Sequence, residues 1–310
     1  MRFTDPPDVE AQAQQGIYDI ARERLDLSPA PGLPGPPSPT VTDGNVTVAA
    51  RTIQFSLGSG ELTAETNVRS TIDPRNRKKG STAKVPSMLD DDEPVNVTSN
   101  RLEYKGEGSP AVYTGAATLW QGADTTIKAD SIAVDETTGN LTARGKATTS
   151  FLFEEADPKS GQKKRQSTTG TAETFAYDDN KRIATYTGKA RMTGPQGDVN
   201  GEQILLYLKP EVNELERAEA TGANGTVTVR ESNRIAEGAH LVYTSADERY
   251  VMTGTPVKIV EERNGTCTQT TGTSATFNRA SESAEVLGLA SGRIPARNEA
   301  LKACPPELRR

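Results

Sequence analysis

From about residue 46 onward, apolar and polar residues alternate with period two in short runs separated by turn-formers, a pattern that predicts strands and hairpins. The second apolar residue of seven such runs serves as an anchor: Phe55, Tyr104, Val134, Tyr177, Leu206, Tyr243 and Phe277. Two residues earlier stand Ile53, Leu102, Ile132, Phe175, Ile204, Leu241 and Ala275, which therefore share the anchor's face. Five residues before each anchor stand Ala50, Ser99, Ala129, Ala172, Gly201, Gly238 and Gly272, all small. The step from that position to the next is odd, so the alternation slips there, as a bulge or bend would make it do. Eleven residues after the anchor comes glycine in five units: Gly115, Gly145, Gly188, Gly254 and Gly288. Thr66 takes that place in the first unit, and the fifth reaches Gly222 only after the insertion LKPEVNELERAEATG. Between anchor and glycine lie GSGE, GEGSP, ETTGN, DDNKR, SADE and NRASES, which are turn sequences. Each unit is thus strand, tight turn, strand, with a bend partway along the second strand.

A lone hairpin cannot bury its apolar row, so the units must stack. Seven of them give about 14 strands, and bends at the small residues fold the sheet over on itself. The expected architecture is all-β: an elongated antiparallel β-jelly-roll or solenoid of about seven stacked hairpins. Its apolar interior is either a core filled by opposing side chains or a trough for a long apolar ligand. Residues 1–45 read as a tail, in which AQAQQGIYDIARERLDL predicts an amphipathic helix of about four turns and LSPAPGLPGPPSPT an extended Pro-rich spacer. Residues 46–72 form a first, irregular β unit, 73–94 a solvated loop or linker, 95–290 the regular repeats, and 291–310 a C-terminal tail. EEADPKSGQKKRQSTT (154–169) lengthens one turn. Its KKR, like RNRKKG earlier, reads as a solvated surface run, with phosphate binding as the weaker alternative.

Composition thins the picture. Only 34% of the 310 residues are hydrophobic and 5% aromatic, which suits a narrow interior. Net charge is −6, with 36 basic and 42 acidic residues interspersed, so a basic stripe for nucleic acid is absent. No apolar run is long enough for a spanning helix, and FTDPPDVEAQ after Met1 and Arg2 is no signal-peptide core. The single histidine, His240, sits at an outward strand position and reads as structural, which leaves no metal site, cofactor or His-based triad to expect. Acidic residues fall in turns or outward positions, against a carboxylate-pair enzyme of the carbohydrate-active jelly-roll kind. Asn96-Val-Thr and Asn140-Leu-Thr read as turn-plus-strand residues. Cys267 and Cys304 are either two thiols or one bridge closing a loop of about 36 residues, worth roughly 3–4 kcal/mol on the loop-entropy account.

The segment VNVTSNRLEYKGEGSPAVYTGAATLWQGADTTIKADSIAVDETTGNLTARGKATTSF (95–151) resembles the OstA-like domain of lipopolysaccharide-transport proteins, the family of LptA, LptC and the N-terminal domain of LptD. GTAETFAYDDNKRIATYTGKARM (170–192) and EGAHLVYTSADERYVMTGTPVKI (237–259) carry the same signature, and the insertion-bearing unit at 201–222 is similar to a variant of it. The likeness covers about 46–288. It implies a periplasmic, non-enzymatic bridge that holds the acyl chains of lipid A in an internal groove and carries lipopolysaccharide from inner to outer membrane. Other lipopolysaccharide-transport proteins dock to such domains edge to edge by β-strands, and copies self-associate. The groove candidates are the anchors Phe55, Tyr104, Val134, Tyr177, Leu206, Tyr243 and Phe277 with Leu102, Ile132, Phe175, Ile204 and Leu241. The resemblance also implies an LptC-like portion at 46–72 ahead of LptA-like repeats, and a disulfide between Cys267 and Cys304. A structural or adhesive β-solenoid with a filled core stands as the alternative reading.

Overall fold

The computed structural model describes residues 2–5, 9–31, 38–76, 84–156, 163–195, 197–210, 214–222, 225–278, 283–288 and 296–308. Among these residues the chain forms 23 strands, two short 3-10 turns and no α-helix. Two compact units divide it, the first made of Met1–Thr149 with Ala176–Lys181, the second of Ser150–Phe175 with Arg182–Arg310.

The first unit opens with β1 (Arg2–Asp5), β2 (Val9–Gln12), β3 (Gln15–Asp19), β4 (Arg24–Ser28), β5 (Thr40–Asp43), β6 (Val46–Ala49) and β7 (Thr52–Ser56). There follow β8 (Glu61–Ile72), β9 (Val95–Lys105), β10 (Ala111–Gln121) and β11 (Thr125–Val134), and then β12 (Leu141–Ala156), which runs on into the second unit. The short strands make two antiparallel ladders that meet on one long strand. β1 pairs β2, β2 pairs β5, β5 pairs β6, and β6 pairs the second half of β8. β3 pairs β4, β4 pairs β7, and β7 pairs the first half of β8. β8 turns between the ladders at Thr66 and Asn67, both with positive φ, so Thr66 makes the bend that glycine makes in later units. β9 pairs along both halves of β8, and β10 pairs β9 and β11.

The glycine bends recur as two-residue breaks. Gly115 (φ 84°) precedes Ala116 (φ 50°), Gly145 (φ 79°) precedes Lys146 (φ 51°), and Gly188 (φ 84°) precedes Lys189 (φ 50°). The ladder register shifts across them, between Thr114 and Ala117 and between Thr187 and Ala190. Close approach as well as φ demands glycine: a Cβ on Gly115 would stand 2.8 Å from Cβ of Asn100. Asn100 directly follows the small residue Ser99, so the small position and the glycine are two sides of one tight crossing.

The second unit contains most of β13 (Lys163–Asp178), then β14 (Ile183–Gly194), β15 (Gly197–Leu208), β16 (Leu215–Thr221), β17 (Val227–Arg230), β18 (Arg234–Gly238) and β19 (His240–Thr244). It closes with β20 (Arg249–Arg263), β21 (Thr266–Asn278), β22 (Ser283–Leu287) and β23 (Arg297–Ala300). The insertion after the fifth anchor lengthens the turn after β15 and supplies β16, and two short strands stand where other units have one long one. β15 pairs β16 along one half and β17 along the other. β16 pairs β19 and β17 pairs β18, and both β18 and β19 pair β20. β21 pairs β20, then β22 and β23 on its other edge.

The helix expected over residues 11–27 is not formed; β3, β4 and the end of β2 take its place. Leu25 and Leu27 alternate in register opposite Phe55 and Ile53, and both are buried. A helix would bury these leucines less well and leave β7 one partner short, and such pairing outweighs a modest local helix propensity. Asp19 turns the chain by accepting hydrogen bonds from the amides of Ala21 and Arg22. The amphipathic look came from Ile17, Tyr18 and Ile20, which are exposed. Of the Pro-rich spacer, residues 32–37 lie outside the described residues, as does most of RNRKKG. The stretch read as a solvated loop is solvated only in part, because Val85, Met88 and Leu89 are buried.

The interior rows are well sealed. All seven residues two before the anchors are buried, from Ile53 to Ala275. Tyr113 on β10 is fully buried, and burial pushes its phenol up to about 12. The fold thus favours the neutral phenol, so its stabilisation is complete below pH 10 and is lost as pH rises from 10 towards 12. Alkaline unfolding should steepen there by about 1.4 kcal/mol per pH unit. Tyr113→Phe should flatten that slope in urea melts taken across this range; an unchanged slope would remove Tyr113 as its source.

Candidate functional site

Interior apolar residues divide between the two units. Phe55, Leu102, Tyr104, Ile132, Val134 and Tyr177 belong to the first. Phe175, Ile204, Leu206, Leu241, Tyr243 and Phe277 belong to the second. Strand alternation sends each of them to the apolar side. Leu102, Ile132, Val134, Phe175, Tyr177, Ile204, Leu241, Phe55 and Phe277 are buried, while Tyr104, Leu206 and Tyr243 are half-buried.

In the first unit two of these residues, Phe55 and Tyr104, line an open cleft of about 210 Å³. Val41 of β5, Val46 of β6 and Leu62 of β8 add to its apolar lining, and Asp43, Asn45 and Glu136 line it as well. A cavity of about 150 Å³ already accommodates benzene, so this cleft has room for several methylenes of a chain. Two of its lining residues are acidic. Burial first, then the carboxylates of Glu136, Asp43 and Glu107, hold the Tyr104 phenol above its usual value. The cleft exists because the β5–β6 hairpin, turned by Asp43-Gly44-Asn45, stands over the β7–β8 and β9 strands at this end. Sequence reasoning passed over Val41 and Leu62. The signal was there in VTDGNVTV, where a Gly turn sits between alternating valines.

A second part of the first unit's interior is filled. Ile72, Val95, Leu119 and Val134 are covered by Val85, Pro86 and Leu89, with a residual void of about 10 Å³. In the second unit Leu241 and Phe277 line another void of about 10 Å³ with Val229, Ala236 and Tyr250. There Arg234 lies over the Phe277 ring, 4.9 Å from its centroid, and pairs with Glu261 at 3.0 Å. Phe175 packs on Tyr186, and Tyr243 on Tyr250, with ring centroids 4.9 and 4.5 Å apart.

Cys267 of β21 and Cys304 are joined in a disulfide with their Cα atoms 5.2 Å apart. His240 is half-buried on β19, in register between Thr221 and Thr253. Among the described residues no group of His, Cys, Asp and Glu is arranged to hold a metal ion. Nor is any helix among them long and apolar enough to cross a membrane.

Residues 96–212 match the family described as LptA/(LptD N-terminal domain) LPS transport protein. Among solved structures, the chain is similar to LptH of Pseudomonas aeruginosa, titled the LptA homologous periplasmic component of the conserved lipopolysaccharide transport device. The two are 18% identical over 43% of this chain and 85% of that one, with a TM-score of 0.34. No curated protein matches the sequence. Eight of the twelve inward candidates, from Leu102 to Leu206, fall inside the matched segment. The part of the chain that is similar to the LptA/LptD N-terminal-domain family is thus 96–212, within the run of regular repeats.

Proposed function

We propose that this protein is a periplasmic, non-enzymatic bridge that binds lipopolysaccharide by its acyl chains and passes it between like domains. The family match over 96–212 carries the reading. The open cleft walled by Val41, Phe55, Leu62 and Tyr104 supports it, since it is an apolar space reachable from solvent. Each methylene taken from water into such a space contributes about 0.8 kcal/mol. Asp43 and Glu136 in its lining disfavour an anionic headgroup there, so the acyl end is the part that suits this cleft.

Edge docking has a natural place at β3. Among the described strands it pairs with β4 alone, and Ile17 and Tyr18 on it are exposed. An open strand edge of this kind takes an added strand from a partner. At the other terminus β23 is short and fully exposed, with Arg297 and Glu299 on it, which discourages strand addition there.

The test is direct. Photo-crosslinkable lipopolysaccharide should label the purified protein, and Tyr104→Asp should cut labelling at least tenfold while circular dichroism stays unchanged. Absence of labelling in the folded wild-type protein would favour a β-solenoid with a filled core and overturn the transport reading.

A further inference from the structure

The segment Lys84–Glu93 has no regular structure, yet it is built into the first unit like a stopper. Val85, Pro86 and Leu89 fill the apolar interior lined by Ile72, Val95, Leu119 and Val134, which come from four successive strands. Met88 beside them is also buried. Three polar anchors hold the segment. The Lys84 amide donates to the Glu136 carbonyl at 2.6 Å. The Ser87 amide donates to Asp179 Oδ1 at 2.7 Å, and its hydroxyl lies 2.9 Å from the Tyr177 hydroxyl. The Gln121 side chain, itself buried, accepts from the Asp90 amide and donates to the carbonyls of Asp90 and Glu93.

Two features mark this as more than a fixed cap. The filled site and the open cleft are neighbours that share Asn45 and Glu136 on their linings. Both spaces thus lie against the same two residues, with Phe55 and Tyr104 on the side of the cleft and Leu119 and Val134 on the side of the filled site. Second, the segment ends in Asp90, Asp91 and Asp92, which are exposed and would stay solvated if it moved out. A side chain that fills an apolar passage from a non-strand segment occupies the space an acyl chain would use, at a cost the acyl chain's own burial can offset.

We propose that Lys84–Glu93 is a built-in plug of the first unit, occupying the acyl path and yielding to an acyl chain that enters from the Phe55–Tyr104 cleft. The occupant is an acyl chain of a lipopolysaccharide-class amphiphile, so the proposal rests on the transport reading. It sets the protein's resting state as closed, and it makes the plug's hold a determinant of affinity.

Hydrogen exchange on the full chain, with and without rough lipopolysaccharide, tests it alongside the double variant Met88→Ser/Leu89→Ser. On binding, the amides of Lys84, Ser87 and Asp90 should lose protection while those of β9 and β10 keep theirs. The variant, whose plug is easier to displace, should bind about tenfold more tightly with an unchanged circular dichroism spectrum. Lipid that crosslinks at the cleft, with those three amides still protected and the variant no tighter, makes the segment a fixed cap and leaves the transport reading standing. Lipid that binds neither protein overturns the transport reading and the plug together.

Discussion

Replacing Gly188 with valine should lower the stability of the second unit by about 3–5 kcal/mol. Gly188 holds φ 84°, where a β-branched residue is strained by roughly 1–3 kcal/mol. Its new Cβ would also stand 2.8 Å from Cβ of Glu173, an atom tied to the backbone of β13, and a shift of that kind costs a further 1–3 kcal/mol or so. For a unit of this size the melting temperature should fall by on the order of 10 °C. The neighbouring residue supplies the control. Lys189 also sits at positive φ (50°), is largely exposed, and has only a loose ion pair with Glu173 at 3.7 Å. Lys189→Gly should therefore be neutral or slightly stabilising. Thermal and urea unfolding of the two variants decide the matter, and equal destabilisation by both would show that the bend has no strict demand for glycine at its first residue.

That contrast also explains how much of the fold was legible. The repeat could be read because one crossing recurs: a small residue on one strand, a glycine on the next, and an apolar pair that must face inward. Asn100 against Gly115 and Glu173 against Gly188 are the same contact in two units, and the chain writes it as a fixed spacing. The first unit was harder, since Thr66 and Asn67 make the bend without glycine. The N-terminal strands were missed because their pairing is non-local. Leu25 and Leu27 look like part of a helical stripe until Phe55 and Ile53 are set opposite them, about 30 residues away.

The site was legible in a different degree. Period-two alternation tells which side chains face inward, and all twelve candidates do lie buried or half-buried. It cannot tell where the walls separate. The cleft at Phe55 and Tyr104 depends on how the β5–β6 hairpin stands over β7 and β8, and the filling of the space by Val85 and Leu89 depends on a segment without periodicity. A charged, Pro-containing stretch hides its few buried apolar residues, because nothing in its own pattern says that Gln121 and Asp179 are waiting to satisfy its backbone.

Removing the disulfide should free the C-terminal segment before it affects the sheet beneath. Cys267 is buried on β21, whereas β23 is four residues long and exposed along its whole length. Beyond its four register pairs with β21, the segment is held by the Leu301 amide donating to the Cys267 carbonyl at 2.9 Å, by the burial of Leu308, and by the bond to Cys304. Loop entropy sets a ceiling of roughly 3–4 kcal/mol on what the bond contributes. The loss in Cys304→Ser should fall below that ceiling, because a freed β23 can fray while β21 stays paired with β20 and β22. Hydrogen exchange should therefore show the Leu301 amide and β23 losing protection by more than tenfold in Cys304→Ser or in dithiothreitol, with the melting temperature lowered by several degrees. If Leu301 keeps its oxidised-state protection after reduction, pairing alone secures the segment and the bond is dispensable to it. A fall of the full 3–4 kcal/mol would mean instead that β23 and β21 unfold as one unit.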